Sequence, residues 1–175
     1  DERHSMQREL YEVVTDYVSK TYNKALRNRK KNMCLIFLLI IMQRMVTSST
    51  AAILQSLERR LHILKSQSTR LGNLTDIEDG VEDALAAISL DMDTEIQELE
   101  FIISVARQAE FQYPDVKVET LTDTIDSILN EEPEQKIIVF TEFVATQTYL
   151  RQLLENKGYT VSSLNGGMSI EAGNE

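Results

Sequence analysis

Residues 136–143, with the sequence KIIVFTEF, constrain the fold of this chain more than any other segment. The apolar, β-branched run opens into a helical pattern, Gly158 ends that pattern, and a second β-prone run follows at residues 159–164. This order predicts a strand, a crossover helix and a parallel strand, which is how an α/β domain begins. Two strands are too few for an independently stable sheet. We therefore expect the chain to be a piece of a longer protein.

The residues before this segment carry helical periodicity. Apolar side chains at three- and four-residue steps predict a helix over residues 6–30, and the cap-forming residues 47–50 predict the start of a third helix. A capping box formed by Thr75 and Glu78 predicts a fourth helix from about residue 76. A second apolar stripe follows it, comprising Ile96, Leu99, Ile103 and Ala106. Residues 76–112 fit either one bent helix or two.

Residues 33–42 form the most hydrophobic run, but they cover only about half of a membrane span. The run lies inside the chain, so it is not a signal peptide. We predict a helix that is buried on nearly all sides, and no membrane partner. Cys34, the single cysteine, lies in this run, which excludes an intrachain disulfide and indicates a reducing, cytoplasmic location.

The predicted fold class is mostly α with a truncated α/β part: a helical bundle, then the first βαβ unit of a larger domain. Pro114 ends the first helical region, because the residue before a proline is pushed out of the α conformation. A further helix with apolar residues from Val118 to Leu129 precedes the first predicted strand. The domains are therefore expected at residues 1–114 and 115–175.

The distribution of charge matters more than the net charge of −10. Four cations, Arg27, Arg29, Lys30 and Lys31, cluster at the predicted end of the first helix, with Arg44, Arg59 and Arg60 further along, and residues 76–134 are strongly acidic. The cluster fits either a helix C-terminus favoured by the macrodipole or a patch that faces nucleic acid.

Residues typical of catalysis are sparse. A phosphate-gripping turn after the first strand needs glycine, and residues 141–145 contain none. The pair Gly166 and Gly167 fits either a tight turn or a loop whose amides touch a nucleic-acid phosphate. The two histidines lie far apart without metal-ligand spacing, and we expect the carboxylates between residues 76 and 110 to lie on the solvent faces of helices.

Several segments resemble SWI/SNF-type helicases of superfamily two, particularly the RapA-like branch. Residues 8–18 (RELYEVVTDYV) resemble the segment that leaves the first RecA-like lobe, and residues 43–49 with 51–54 and 57–61 resemble the helical region between the lobes. Residues 137–143 resemble the fourth motif of the family, and residues 164–169 (LNGGMS) resemble the loop that follows it. The segments occur in the order of the family and together contain about a quarter of the chain.

This resemblance implies an ATP-driven translocase on double-stranded DNA, in which two RecA-like lobes close on ATP and magnesium. It identifies residues 1–114 as the helical region between the lobes and residues 115–175 as the beginning of the second lobe. It also places Thr141, Asn165, Gly166 and Gly167 near a nucleic-acid backbone, which would make them binding residues in addition to the basic cluster.

The chain has no Gly-x-x-x-x-Gly-Lys-Ser/Thr element, no Asp-Glu box of the second motif and no arginine finger of the last motif. We therefore expect no catalytic residue, no bound cofactor and no ATP hydrolysis in this fragment, with ATP and magnesium held by the parent protein. An alternative is a helical interaction or oligomerisation module without enzymatic activity, self-associating through a stripe of Leu54, Leu57, Leu61 and Leu64. A complete small α/β regulator is disfavoured because its sheet would be too small.

Overall fold

The computed structural model describes residues 2–69, 90–112 and 115–166, and in these residues the protein is mostly helical. The chain divides into two compact units, Asp1–Val116 and Lys117–Glu175. The first unit is a bundle of helices, and the second carries two helices joined by non-helical segments in its described part. The identities that the resemblance assigns to the two parts stay predictions.

In the described residues, the bundle of the first unit has four helices that pack in a ring. Its described helices are α1 (Glu2–Leu26), α2 (Met33–Ser48), α3 (Thr50–Thr69) and α4 (Met92–Gln112). Helix α1 packs against α2 and α4, and α3 packs against α2 and α4. Each of these four helices therefore packs against two of the others, and the described core lies between them.

Helices α1 and α2 form an antiparallel hairpin. The side-chain amide of Gln43 donates a hydrogen bond to Thr15 Oγ1 at 3.1 Å, at about equal distances from the connection on both helices. Asn32 Nδ2 donates to the carbonyl of Ala25 at 3.0 Å and satisfies the end of α1. The predicted extension of the first helix to residue 30 was wrong, because residues 27–32 form hydrogen-bonded turns instead.

Ser49 alone joins α2 to α3. Its backbone is extended, with φ −159° and ψ 153°, and its N–H donates to the carbonyl of Met45 at 3.1 Å. The Ser49 hydroxyl accepts a hydrogen bond from the N–H of Ala52 at 3.1 Å. Ser49 therefore caps the N-terminus of α3, which confirms the prediction that residues 47–50 start a third helix.

Helices α3 and α4 are antiparallel, and three polar contacts fix their register. Thr50 N–H donates to Asp115 Oδ2 at 3.2 Å, Arg107 pairs with Glu58 at 2.7 Å, and Lys65 pairs with Glu100 at 2.6 Å. The contact positions rise from 50 to 58 to 65 along α3, and they fall by the same steps, from 115 to 107 to 100, along the partner segment. The ion pairs are exposed, so they contribute more to register than to stability.

The core of the bundle contains most of the apolar side chains predicted to be buried. Leu57, Leu64, Leu99 and Ile103 are each at most 4% exposed, which confirms these members of the stripes predicted on α3 and α4, whereas Leu61 and Ile96 are only partly buried. On α2, Leu35, Leu38, Leu39 and Met42 are buried. The prediction that α2 is buried on nearly all sides was wrong, because Met33, Phe37 and Ile40 are about half exposed and Cys34 is also exposed.

The described part of the second unit contains α5 (Val116–Glu131) and α6 (Val144–Asn156). Gly158, at φ +93°, ends α6 as predicted. Its N–H donates to the carbonyl of Glu155 at 2.9 Å, and the N–H of Tyr159 donates to Leu154 at 3.1 Å. These two bonds form a Schellman motif, whose left-handed residue is usually glycine.

The predicted strands flank α6 as non-helical segments. Residues 135–143 precede the helix and residues 157–166 follow it, and the described residues contain no strand. The βαβ unit therefore stays a prediction. The predicted capping box of Thr75 and Glu78, the helical stripe between residues 77 and 88, and Gly167 lie outside the described residues. Within the described ranges, the helices are too short or too polar to cross a membrane.

Candidate nucleic-acid interface and a buried polar triad

The turn between α1 and α2, residues 27–32, brings the four predicted cations together and is named the basic turn below. Arg27, Arg29, Lys30 and Lys31 are all exposed. Backbone hydrogen bonds at 3.1 Å from Lys31 and Asn32 to the carbonyl of Asn28 hold the turn compact. Among the described residues, none of the four cations has an ion-pair partner within 4.0 Å.

The helix ends next to the basic turn act on it in opposite ways. The carbonyl end of α1 favours the cations, as predicted for a helix C-terminus. The amide end of α2 carries positive partial charge, and its first turn contains no acidic residue. Asn32 at the N-cap makes no side-chain capping bond, because its amide donates to α1. The helix-terminus interpretation therefore accounts for one side of the turn only, and the other side adds to a positive potential that attracts anions.

Of the other basic residues considered with this cluster, Arg60 does not belong to any exposed surface. Its side chain is fully buried, whereas Arg44 and Arg59 are exposed on α2 and α3. An arginine without solvent access cannot contact a phosphate of a duplex. Its partners in the core explain this burial.

The predicted contact loop of the second unit is tethered to α6 by Gln147, which sequence analysis missed. Gln147 Nε2 donates to the carbonyl of Leu164 at 2.7 Å, and Asn165 Nδ2 donates to Gln147 Oε1 at 3.2 Å. Thr141 and Asn165 are both partly exposed. A polar residue in the first turn of the helix was the available signal, but polar residues are common there.

Gly166 sits in this loop without an internal need for glycine. Its φ is not in the left-handed region, and a Cβ built on it would meet nothing within 4 Å. A tight turn that demands glycine therefore does not explain this position. The free space at the Cβ position of Gly166 is compatible with the close approach of an outside molecule.

Tyr17, Arg60 and Glu95 form a buried triad that joins α1, α3 and α4. Arg60 Nε donates to Glu95 Oε1 at 2.9 Å, and Arg60 Nη2 donates to Glu95 Oε2 at 3.2 Å. The hydroxyl of Tyr17 donates to Glu95 Oε1 at 2.8 Å. Their exposures are 2%, 0% and 6% respectively. The two-point arginine contact and the tyrosine fix the orientation of the carboxylate.

The triad supports the fold rather than chemistry. Burial raises the pKa of Tyr17 well above its usual range, and the nearby charge of Glu95 raises it further. A substrate would need solvent access to these atoms, and they have almost none. Because ionic groups in an apolar core tolerate few alternative arrangements, the triad favours a single register of three helices.

Glu95 corrects the expectation that the carboxylates between residues 76 and 110 face solvent. The signal in the sequence was its spacing: residues 95, 99, 102 and 106 form one helical stripe, and Glu95 occupies its first position. Arg60 takes the equivalent place between Leu57 and Leu64 on α3. Opposite charges inside two apolar stripes predict a buried pair.

The remaining polar residues add no site. His62 is exposed on α3, and the described ranges contain no group of three or more metal-ligating side chains. Comparison with known proteins gave no match to a family model, to a curated protein or to a solved structure.

Proposed function

We propose that this chain is a segment of an ATP-dependent DNA translocase of the SWI/SNF type. Its first unit would be the helical region between two RecA-like lobes, and its second unit would open the second lobe. The resemblance of six short segments in the family's order motivates the proposal. The chain itself would bind DNA weakly and leave ATP hydrolysis to the cytoplasmic parent protein.

The observation that carries the proposal is the basic turn. Four exposed cations converge beside the uncapped amide end of α2, in a chain whose net charge is −10. A local concentration of cations on an acidic protein is the electrostatic arrangement that holds phosphates while the remaining surface repels them.

The second unit carries a separate proposed contact with DNA. Thr141, Asn165, Gly166 and Gly167 would contact the sugar–phosphate backbone, with Gln147 holding the described part of the loop on α6. Helix α6 would be the crossover of a βαβ unit, and the apolar segments on either side would become strands beside further strands of the parent.

The test is a titration of duplex DNA at low and moderate salt. We expect micromolar or weaker binding that falls steeply with salt, and loss of most of this binding when Arg27, Arg29, Lys30 and Lys31 are changed together to Gln. The control changes four exposed, ion-paired cations to Gln: Arg8, Lys65, Arg107 and Arg151. Equal losses in the two variants would show that only net charge matters.

The nucleotide part of the proposal has its own measurement. Isothermal calorimetry with ATP and magnesium should detect no stoichiometric complex, because the Gly-x-x-x-x-Gly-Lys-Ser/Thr element and the Asp-Glu box are missing from the sequence. A saturable, magnesium-dependent complex would contradict the assignment of ATP binding to the parent.

A second candidate function is a helical interaction module. The leucines proposed for its seam do not favour it, because Leu54, Leu57 and Leu64 are buried inside the bundle. The exposed apolar side chains of α2 do favour it, since they provide a surface that the bundle leaves uncovered.

A further inference from the structure

The exposed side of α2 carries three large apolar side chains in one row, named here the outer stripe: Met33, Phe37 and Ile40. They are 52%, 50% and 47% exposed. Their spacing of four and three residues places them on one face of the helix. Single exposed apolar residues are normal on a protein surface, but a row of them on a helix that already supplies core residues indicates contact with another molecule.

The shape of the outer stripe suits a helix. It spans two turns of α2, or about 10 Å. Its positions i, i+4 and i+7 are the spacing at which the anchors of an amphipathic helix meet a partner. The opposite face of α2 is occupied by the core and by its contacts with α1 and α3.

Charge distinguishes between the occupants of this surface. The basic turn lies immediately before Met33, and the exposed Arg44 follows Ile40 by four residues. In an antiparallel pair of two copies centred on Phe37, Lys30 would face Arg44 of the other copy. In a parallel pair, one basic turn would face the other. Both arrangements place like charges together, which disfavours a second copy of this chain.

A membrane surface is disfavoured by the position of the cations. Helices that lie in a lipid interface carry Lys and Arg along a polar face opposite their apolar face. On α2, the face opposite the outer stripe forms the core, and the four cations of the basic turn lie beyond one end of the helix.

We infer that the outer stripe is the docking surface for an acidic amphipathic helix of a partner protein. Three apolar anchors of the partner would cover Met33, Phe37 and Ile40, and an acidic turn at one end would lie over the basic turn. This goes beyond the proposed DNA contact, which uses the basic turn but not the apolar row.

The probe is a fluorescent synthetic peptide of about 20 residues, long enough to form a helix. It carries Leu at positions i, i+4 and i+7 and four Glu in one end turn. Anisotropy titration of the full chain should show saturable binding with Kd on the order of micromolar. Phe37→Gln should raise Kd at least about tenfold, and Phe101→Gln, a matched change on the exposed face of α4, should leave it unchanged.

Each alternative has its own outcome. Failure of the peptide to bind, or equal loss in the two Phe variants, overturns the inference. Equal binding of a peptide with Lys in place of Glu overturns the acidic partner. Phosphatidylserine vesicles that bind the chain when the peptide does not would favour a membrane. Dimerisation abolished by Phe37→Gln would favour a second copy. Thermal unfolding by circular dichroism checks that both variants fold.

DNA binding gives an independent measurement of the same surface. Phe37→Gln should leave the duplex titration unchanged while it weakens the peptide complex. The Gln replacement of all four cations in the basic turn should weaken both. If Phe37→Gln reduced DNA and peptide binding to the same extent, the row and the turn would form one surface, and the separate helix-docking surface would be overturned.

Discussion

The two units of this chain differ sharply in how many apolar side chains they bury. In the described residues, the first unit buries apolar residues from four helices, whereas the second unit buries only Val118, Ile125 and Leu154. The second unit also exposes Ile138 at 78%, Phe140 at 91% and Leu164 at 76%. The first unit therefore has a core of its own, and the second presents strand-forming residues without one.

This difference shows what each unit can do alone. Helices satisfy their backbone within one segment, so four of them close a core by side-chain packing. Strands need neighbours both for their backbone groups and for their apolar faces. If residues 136–140 form the proposed strand, that strand would need further strands beside it.

The largest expected difference compares Leu38 with Phe140. Leu38→Asp should lower the free energy of unfolding by at least about 4 kcal/mol, because it places an unpaired charge in a core position that is 0% exposed. Phe140→Asp, at 91% exposure, should change it by less than about 0.5 kcal/mol. Urea unfolding followed by circular dichroism measures both. Similar losses would mean that residue 140 is also in a core.

The next comparison concerns carboxylates. Glu95→Gln should cost about 3 kcal/mol, because it leaves buried Arg60 without its counterion. Asp126→Asn in the second unit should cost less than about 1 kcal/mol, since Asp126 is 44% exposed and pairs with Lys157 at 3.9 Å. The double variant Arg60→Met, Glu95→Leu should recover much of the loss. If Glu95→Gln had the same free energy of unfolding as the unmutated chain, the Arg60–Glu95 pair would not stabilise the bundle.

Two tyrosine–carboxylate contacts provide a smaller test. Tyr17→Phe should cost about 2 kcal/mol, because it removes a buried hydrogen bond to a charged group. Tyr159→Phe removes the partly buried bond to Asp126 and should cost less than about 1 kcal/mol. Denaturant midpoints compare the two, and a larger loss at Tyr159 would reverse the ranking of the units.

Tyr17 also predicts a dependence on pH. Because its pKa is raised in the folded protein, the native state keeps the proton that the unfolded chain loses above about pH 10. Its contribution to stability is therefore complete below pH 10 and declines as the pH rises further. The free energy of unfolding should be measured between about pH 9 and pH 11, on either side of the pKa of an unfolded tyrosine. It should decline less steeply with pH for Tyr17→Phe than for the unmutated chain. Equal slopes would contradict the raised pKa.

The smallest effect is expected at the end of α6. Gly158→Ala should lower the free energy of unfolding by about 1 kcal/mol. The added Cβ would contact no neighbouring atom, but a backbone φ of +93° is strained for a residue that has a Cβ. The matched change Gly166→Ala, where φ is not left-handed, should cost little. Hydrogen exchange of α6 amides, read by mass spectrometry, reports on this unit alone. Equal protection in both variants would show that the Schellman motif contributes little.

Apolar spacing predicted much of this fold. The stripes containing Leu57, Leu64 and Leu99 and the helix end at Gly158 were predictable, because each depends on residues close in sequence. The exposed side of α2 was not, since residues 33–42 are apolar all round and contain no periodic signal that marks one side as solvent-facing. Which side of α2 faces solvent is decided by where α1 and α3 pack against it.

The polar part of the bundle was harder to predict. Arg60 and Glu95 lie 35 positions apart, and although each falls within an apolar stripe, nothing local to either helix identifies the other residue as its partner. Tyr17 adds a third helix to the contact. Pairing of this kind depends on which helices become neighbours, which one helix's periodicity does not reveal. By contrast, the basic turn was visible as a cluster, because its cations are adjacent in the chain.

The buried triad also restricts how this sequence can change over evolutionary time. A lineage that loses Glu95 first passes through a protein with an uncompensated arginine, and one that loses Arg60 first passes through an uncompensated carboxylate. The two positions should therefore be inherited together or replaced together. Tyr17 can become Phe before or after such a step, since neither order leaves a buried charge without its counterion. Distant relatives should be recognisable by this joint inheritance at positions 17, 60 and 95 even where the rest of the sequence has diverged.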